Sequence, residues 1–153
     1  MDGLDEFERG NICILLSKLE RRHFFIKKQV MDRLGITYQQ GRILLFLSKH
    51  PQGSLNQADL AVHFDVKPPS VNSVLSGMIK NGLVEKRVND RDARNFDLYA
   101  TEKGKELAKK LAQSFDLIDR KVIEVLSDEE RQTMLSLLHK LLSAGAPGAD
   151  GAR

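Results

Sequence analysis

Cysteine is nearly absent from this chain: Cys13 is the sole one in 153 residues. A single thiol excludes an intramolecular disulfide framework and suits a reducing compartment. Long apolar runs are also missing. A stretch such as Ile12 to Leu16 falls far short of the ~20 residues that a bilayer-spanning helix needs, so no membrane association is expected. The opening Met1-Asp2-Gly3-Leu4-Asp5-Glu6 is too acidic for a secretory signal, which makes the cytoplasm the expected compartment. Catalytic signatures are lacking too. His23, His50, His63 and His139 are too scattered for a metal pair at i, i+4, and Cys13 has no cysteine partner. Neither a Gly-x-Ser-x-Gly elbow nor a phosphate-cradling glycine loop occurs. The expectation is a protein that is not an enzyme and holds no metal or cofactor. Charge of one sign is in little excess, with a formal net charge of +3. So mild a surplus permits nucleic-acid binding without predicting it, and any such affinity must come from where the basic groups sit.

A hydrophobic content of 41% and a charged content of 29% are ordinary for one soluble domain able to bury a core. The informative stretch is residues 54 to 104. After Lys67-Pro68-Pro69, the apolar residues Val71, Val74, Leu75, Met78 and Ile79 recur at helical spacing. The opposite face carries Ser70, Asn72, Ser73, Ser76 and Lys80. Prolines in a first turn remove only N–H groups that lack an intrahelical partner, and Asn81-Gly82 supplies a left-handed stop. Small hydrogen-bonding side chains let such a helix approach a major groove closely, although an ordinary amphipathic helix would turn the same residues to water.

Its neighbours favour the first reading. Asn56 with Asp59 forms an approximate capping box, with Leu55 and Leu60 placed as a hydrophobic staple, and the helix they open runs to about Phe64. Only Asp65, Val66 and Lys67 then separate it from the next helix, the spacing of a helix-turn-helix. Downstream, Val84 to Val88 and Asn95 to Ala100 alternate as two strands. The intervening Asn89-Asp90-Arg91-Asp92-Ala93-Arg94 forms a turn. An arginine at such a tip can enter a minor groove, and Asp92 is near enough to restrain Arg91 or Arg94 by a bidentate pair. A solvated loop of balanced charge is the plainer alternative.

The flanks are helical. Ile12, Leu15, Leu16, Leu19, Ile26 and Val30 form a stripe within residues 7–33, widened by Phe24, Phe25 and Met31, an apolar surface larger than one small winged helix needs. Thr101 caps a long helix through Leu107, Leu111, Phe115, Ile118, Val122 and Val125. Ser127 with Glu130 makes a capping box for a last helix carrying Met134, Leu135, Leu138, Leu141 and Leu142. These helices suit a homodimer interface, the alternative being that they cover the monomer's own core. Residues 144–153 are rich in Gly and Ala and read as a disordered tail.

Over residues 8–143 the chain resembles the MarR family (multiple antibiotic resistance regulators). The most specific match is Asp92-Ala93-Arg94 followed by Thr101-Glu102-Lys103-Gly104, similar to the family's Asp-x-Arg wing and Leu-Thr-x-x-Gly helix start, with Ala100 in place of the usual leucine. Leu34-Gly35-Ile36-Thr37, Asn56-Gln57-Ala58-Asp59-Leu60-Ala61, Pro69-Ser70-Val71 and Gly82-Leu83-Val84-Glu85-Lys86 are similar too. The resemblance implies a mainly α fold: a winged helix-turn-helix, about residues 37–100, with a two-stranded β-wing, and N- and C-terminal helices, about 7–33 and 101–143, forming a dimerisation region. It further implies a homodimer reading a pseudo-palindromic operator in double-stranded DNA, its recognition helices roughly 34 Å apart.

The expected function is sequence-specific regulation of transcription, as a repressor released by a ligand or by modification. Ser70, Asn72, Ser73 and Ser76 would read or abut base edges, and Lys67 and Lys80 would contact phosphates. Asn56 and Gln57 would bind phosphate at a helix N-terminus. Arg94, with Arg91 second, would enter the minor groove. Small aromatic or phenolic effectors are what the family implies as ligands. Its hydroperoxide-sensing branch uses a first-helix cysteine held by tyrosines; Cys13 and Tyr38 resemble that pattern, while Ser17 and Lys27 depart from it. Otherwise Cys13 is a small buried hydrophobe. A winged helix that binds protein is the remaining alternative.

Overall fold

The computed structural model describes residues 5–89, 92 and 95–144. Seven helices and two strands follow in order among them: α1 (Glu6–Gly10), α2 (Ile12–Arg33), α3 (Tyr38–Ser48), α4 (Gln57–Phe64), α5 (Pro68–Lys80), β1 (Val84–Val88), β2 (Phe96–Ala100), α6 (Glu102–Ile123) and α7 (Asp128–Ser143). The chain divides into two compact units, Met1–Phe115 and Asp116–Arg153. The fold class is mainly α with a two-stranded antiparallel wing.

In the first unit the core is a knot of Leu44, Leu47, Leu60, Val71, Leu75, Met78, Val84, Leu98 and Leu111, drawn from α3 to α6 and both strands, and closed by Met31 of α2. Short elements of this size are held by tertiary packing more than by propensity. Helix ends are set locally. Thr37 and Gln40 cap α3 reciprocally, with Gln40 N donating to Thr37 Oγ1 at 3.2 Å and Thr37 N to Gln40 Oε1 at 3.0 Å. Asn56 Oδ1 accepts from Ala58 N at 2.7 Å and Asp59 N at 3.2 Å, while Asp59 Oδ2 accepts from Asn56 N at 2.7 Å, so the box read from sequence forms completely. Helix α5 ends as expected: Asn81 is its C-cap and Gly82 takes φ 66°, a conformation that favours glycine.

The sequence reading needs three adjustments. The N-terminal helical stretch is two helices, because Asn11 leaves helical geometry and accepts Ile14 N at 3.1 Å to start α2 afresh. Ile79, read as part of the buried stripe of α5, is exposed. At 100° per residue it lies only about 20° from Asn72, on the edge of the outward face. Val125 lies past the end of α6 and is exposed. A further pairing had no sequence signal: Asn56 bridges Asp97, and Leu98 N donates to Leu55 O at 2.8 Å, so residues just before α4 run beside β2.

The second unit comprises the end of α6 and α7. Its capping box forms as expected, with Glu130 N donating to Ser127 Oγ at 3.2 Å and Ser127 N to Glu130 Oε2 at 2.7 Å. No residue of α7 is fully buried, and Leu135, Leu137, Leu141 and Leu142 are exposed. In the first unit Phe7, Ile12, Leu15, Leu19 and Phe25 are exposed likewise. The expected tail beyond Ala144 lies outside the described residues.

Candidate nucleic-acid interface

Helix α4 closes on Asp65 in the left-handed region (φ 50°), where an Asp side chain is better tolerated than a branched one. Val66 and Lys67 follow, and α5 begins at Pro68 with Pro68 and Pro69 in its first turn. Lys67 is the N-cap, makes no side-chain cap bond and is exposed. The buried side chains Val71, Leu75 and Met78 turn the other side of α5 outward.

Asn72, Ser73, Ser76 and Lys80 stand at i, i+1, i+4 and i+8, within about 100° of arc, and all are exposed. The four form one continuous polar face. Ser76 Oγ donates to Asn72 O at 2.8 Å, which uses its proton within the helix and leaves the hydroxyl as an acceptor toward a partner. Ser70 sits at the margin of that face. With Gln39, Arg42, Phe64, Val66 and Val74 it lines a shallow groove between α3 and the turn, where the Arg42 guanidinium lies 4.6 Å from the Phe64 ring centroid.

At the start of α4 the two candidate phosphate ligands are engaged within the protein. The Asn56 side-chain oxygen caps the helix. Gln57 Nε2 donates to Pro68 O at 3.2 Å and Gln57 Oε1 accepts from Lys86 Nζ at 3.3 Å. The sequence reading placed Lys86 on the first wing strand and gave it no contact with α4.

The wing pairs Val84 with Ala100, Lys86 with Leu98 and Val88 with Phe96. Its base is buried at Val84, Leu98 and Ala100, and its outer end is exposed at Val88 and Phe96. Asn89 organises the way into the turn. Its Nδ2 donates to both carboxylate oxygens of Asp97 at 2.9 Å, its Oδ1 accepts Asp92 N at 3.0 Å, and its backbone N donates to Asn95 O at 2.9 Å. Sequence reasoning counted Asn89 as a turn former and missed this role; an Asn that opens a hairpin turn with an Asp on the returning strand is the signal that was available. Asp92 Oδ2 accepts from Asn95 Nδ2 at 2.9 Å. Arg91 and Arg94 lie outside the described residues, as does any pair either makes.

Cys13 is the second residue of α2 and is exposed, in a surface depression with Asn11, Ile14, Ser17, Lys18 and Arg21. In this chain it is not the small buried hydrophobe of the plainer reading. Tyr38 opens α3 and packs edge-on against Phe24, ring centroids 4.6 Å apart. Of the histidines, His63 stacks on Phe46 at 3.7 Å and His50 Nδ1 lies 2.8 Å from Phe46 O. Among the described residues no group of three His, Cys, Asp or Glu is placed to share a metal ion.

A helix, a left-handed turn, a second helix with a polar outer face, and a paired β-ribbon define a winged helix-turn-helix domain. The sequence model of the MarR family matches residues 34–95, which take in α3, α4, α5 and β1 and stop just before β2. Solved structures agree. The Staphylococcus aureus MepR–DNA complex superposes with a TM-score of 0.79 at 26% identity, over 88% of this chain and 98% of that one. Among characterised relatives, the HTH-type transcriptional regulator BilQ of Clostridioides difficile is 29% identical over 96 residues, 63% of this chain and 64% of its own length. The chain thus spans less than two thirds of that relative. The homoprotocatechuate degradative operon repressor of Escherichia coli is 25% identical over 134 residues, 88% of each chain. Residues 34–95 thus match the MarR family model, and the chain is similar to winged-helix transcriptional regulators along most of its length.

Proposed function

We propose that the protein is a homodimeric, cytoplasmic regulator that binds a pseudo-palindromic operator in double-stranded DNA and represses transcription. The observation that carries the reading is the outward face of α5. Asn72, Ser73, Ser76 and Lys80 are exposed together while Val71, Leu75 and Met78 fix the helix to the core. Small hydrogen-bonding groups on a rigid helix are what major-groove edges accept. Lys67 and Lys80 bracket α5, and a helix of its 13 residues is about 20 Å long, enough to reach the backbones on both sides of a groove about 12 Å wide. Ser70 abuts the same site, and the Gln57 backbone N–H, in the first turn of α4, suits a phosphate at that helix N-terminus. Arg94, with Arg91, supplies the minor-groove contact at the wing, with Asp92 restraining it. MepR in complex with DNA supports the DNA reading, and the E. coli relative's role as an operon repressor supports the direction.

The exposed apolar residues of α1, α2 and α7 support the dimer, since patches of that extent on a soluble protein mark an interaction surface. Release of the operator follows if an effector, of the small aromatic or phenolic class, favours a dimer whose recognition helices no longer match the half-site spacing. The exposed thiol of Cys13 supports a second route, oxidation. Selection from random duplex DNA tests the central reading. Enrichment of inverted repeats with half-sites about one turn apart supports it, and recovery of unrelated sequences contradicts it.

A further inference from the structure

Gln57 joins three elements with a single amide. Its Nε2 donates to the Pro68 carbonyl in the first turn of α5, and its Oε1 accepts from Lys86 Nζ in the middle of β1. The partners are 11 and 29 residues away, so the contacts are tertiary and no by-product of helix geometry. The backbone just before Gln57 is tied to the other wing strand through the Asn56 bridge to Asp97 and the Leu98 N–H donated to Leu55 O. The start of α4 therefore holds the reading helix on one side and both strands of the wing on the other.

We infer that Gln57 and Lys86 are positioning residues that set the wing against α5, so that both reach one DNA duplex in a single binding event. The inference rests on the DNA-binding reading above and sharpens it, because it gives the Gln57 side chain a role away from phosphate. A wing held in place contributes its contacts without first losing its own freedom. A wing set loose must be ordered each time the protein binds, and that cost is subtracted from affinity. Both bonds suit the task. A carbonyl has two lone pairs, so Pro68 O accepts from Gln57 without leaving the helix ladder, and the ammonium of Lys86 strengthens the other bond.

The test is a set of variants of the full-length protein, read by fluorescence anisotropy on a duplex enriched by the wild type from random DNA. Gln57→Ala and Lys86→Met are each expected to weaken binding about 3- to 10-fold, the range of one net hydrogen bond. Their double variant is expected to be no weaker than the worse single, and Lys86→Arg to stay within about twofold of the wild type. In an Arg94→Ala background, where the wing contributes little, Gln57→Ala is expected to cost less than about twofold.

Costs that multiply in either pair, or a Gln57→Ala variant with unchanged affinity, overturn the inference. Thermal melts separate a misplaced wing from a failure to fold, and Gln57→Met, which keeps the side chain's length, replaces Gln57→Ala if the latter does not fold. A wild type that binds selected and scrambled DNA alike overturns the DNA-binding reading itself. A wild type that discriminates, with multiplying costs, overturns only the tie.

Discussion

Gly104 presses against the Leu83 carbonyl: a Cβ at position 104 would lie well inside van der Waals contact of that backbone oxygen, with Leu44 Cδ2 also close at 3.4 Å. The same corner is pinned by Thr101, whose Oγ1 donates toward Gly82 O at 2.7 Å and accepts Gly104 N at 3.1 Å. This joint fixes where the wing returns to α6, and it explains why a Thr-x-x-Gly start is needed there.

Replacing Gly104 by Ala would stabilise an unconstrained helix by about 1 kcal/mol through propensity alone. Here the new methyl meets backbone and not a flexible side-chain end, so overpacking wins. Gly104→Ala is expected to destabilise the protein by about 1 to 3 kcal/mol in urea unfolding. A stabilised variant would show that the joint yields easily.

Glu130 gives a pH dependence with a defined sign. The Ser127 backbone N–H, and then its hydroxyl, hold the Glu130 carboxyl below its ordinary value of 4.5 although the group is fully exposed. A folded-state value below the unfolded one stabilises the native state above about pH 4.5, and the contribution fades as pH falls through the lower folded value. The melting-temperature gap between wild type and Glu130→Ala is therefore expected to be constant near neutrality and to close in acid. A gap independent of pH down to 3 would mean that the charge plays no part in the cap.

Asn72 and Arg94 are expected to fail in different ways. Asn72→Ala removes a base-edge reader from the outward face of α5, so it should cost about 1 to 3 kcal/mol on the selected operator and little on scrambled DNA. Arg94→Ala should weaken binding to both, with a salt slope shallower by about one. Equal losses on both DNAs for Asn72→Ala would place it outside the reading face.

Ile12 is 67% exposed and Phe7 is 72% exposed, and both lie on the N-terminal helices. A charge placed in a dimer seam is costly to desolvate. Ile12→Glu is expected to raise the dimer dissociation constant at least tenfold, about 1.4 kcal/mol, in sedimentation equilibrium. An unaltered dimer would move the interface elsewhere.

The sequence displayed whatever is decided within one turn of chain. The boxes at Asn56 and Ser127, the cap at Thr101 and the stop at Gly82 each depend on residues three or four apart, and each forms as read. The break at Asn11 was local too, but a continuous apolar stripe from Ile12 onward concealed it. Other features were beyond a linear reading. Gln57 reaches Pro68 and Lys86, and residues before α4 pair with β2, because the fold brings distant segments together. The exposure of Ile79 and Cys13 depends on which side of a helix meets the core, and near the edge of a stripe periodicity leaves that open.

The most direct test of the central claim is fluorescence anisotropy of the purified protein on the DNA immediately upstream of its own gene, against scrambled DNA of equal length, at several salt concentrations. The account predicts tight, sequence-dependent binding at one dimer per site, with log affinity falling linearly in log salt as phosphate-bound counterions are released. Weak binding, equal on the two DNAs, with no inverted repeat recovered from random-sequence selection, would contradict it and leave a winged helix that binds protein.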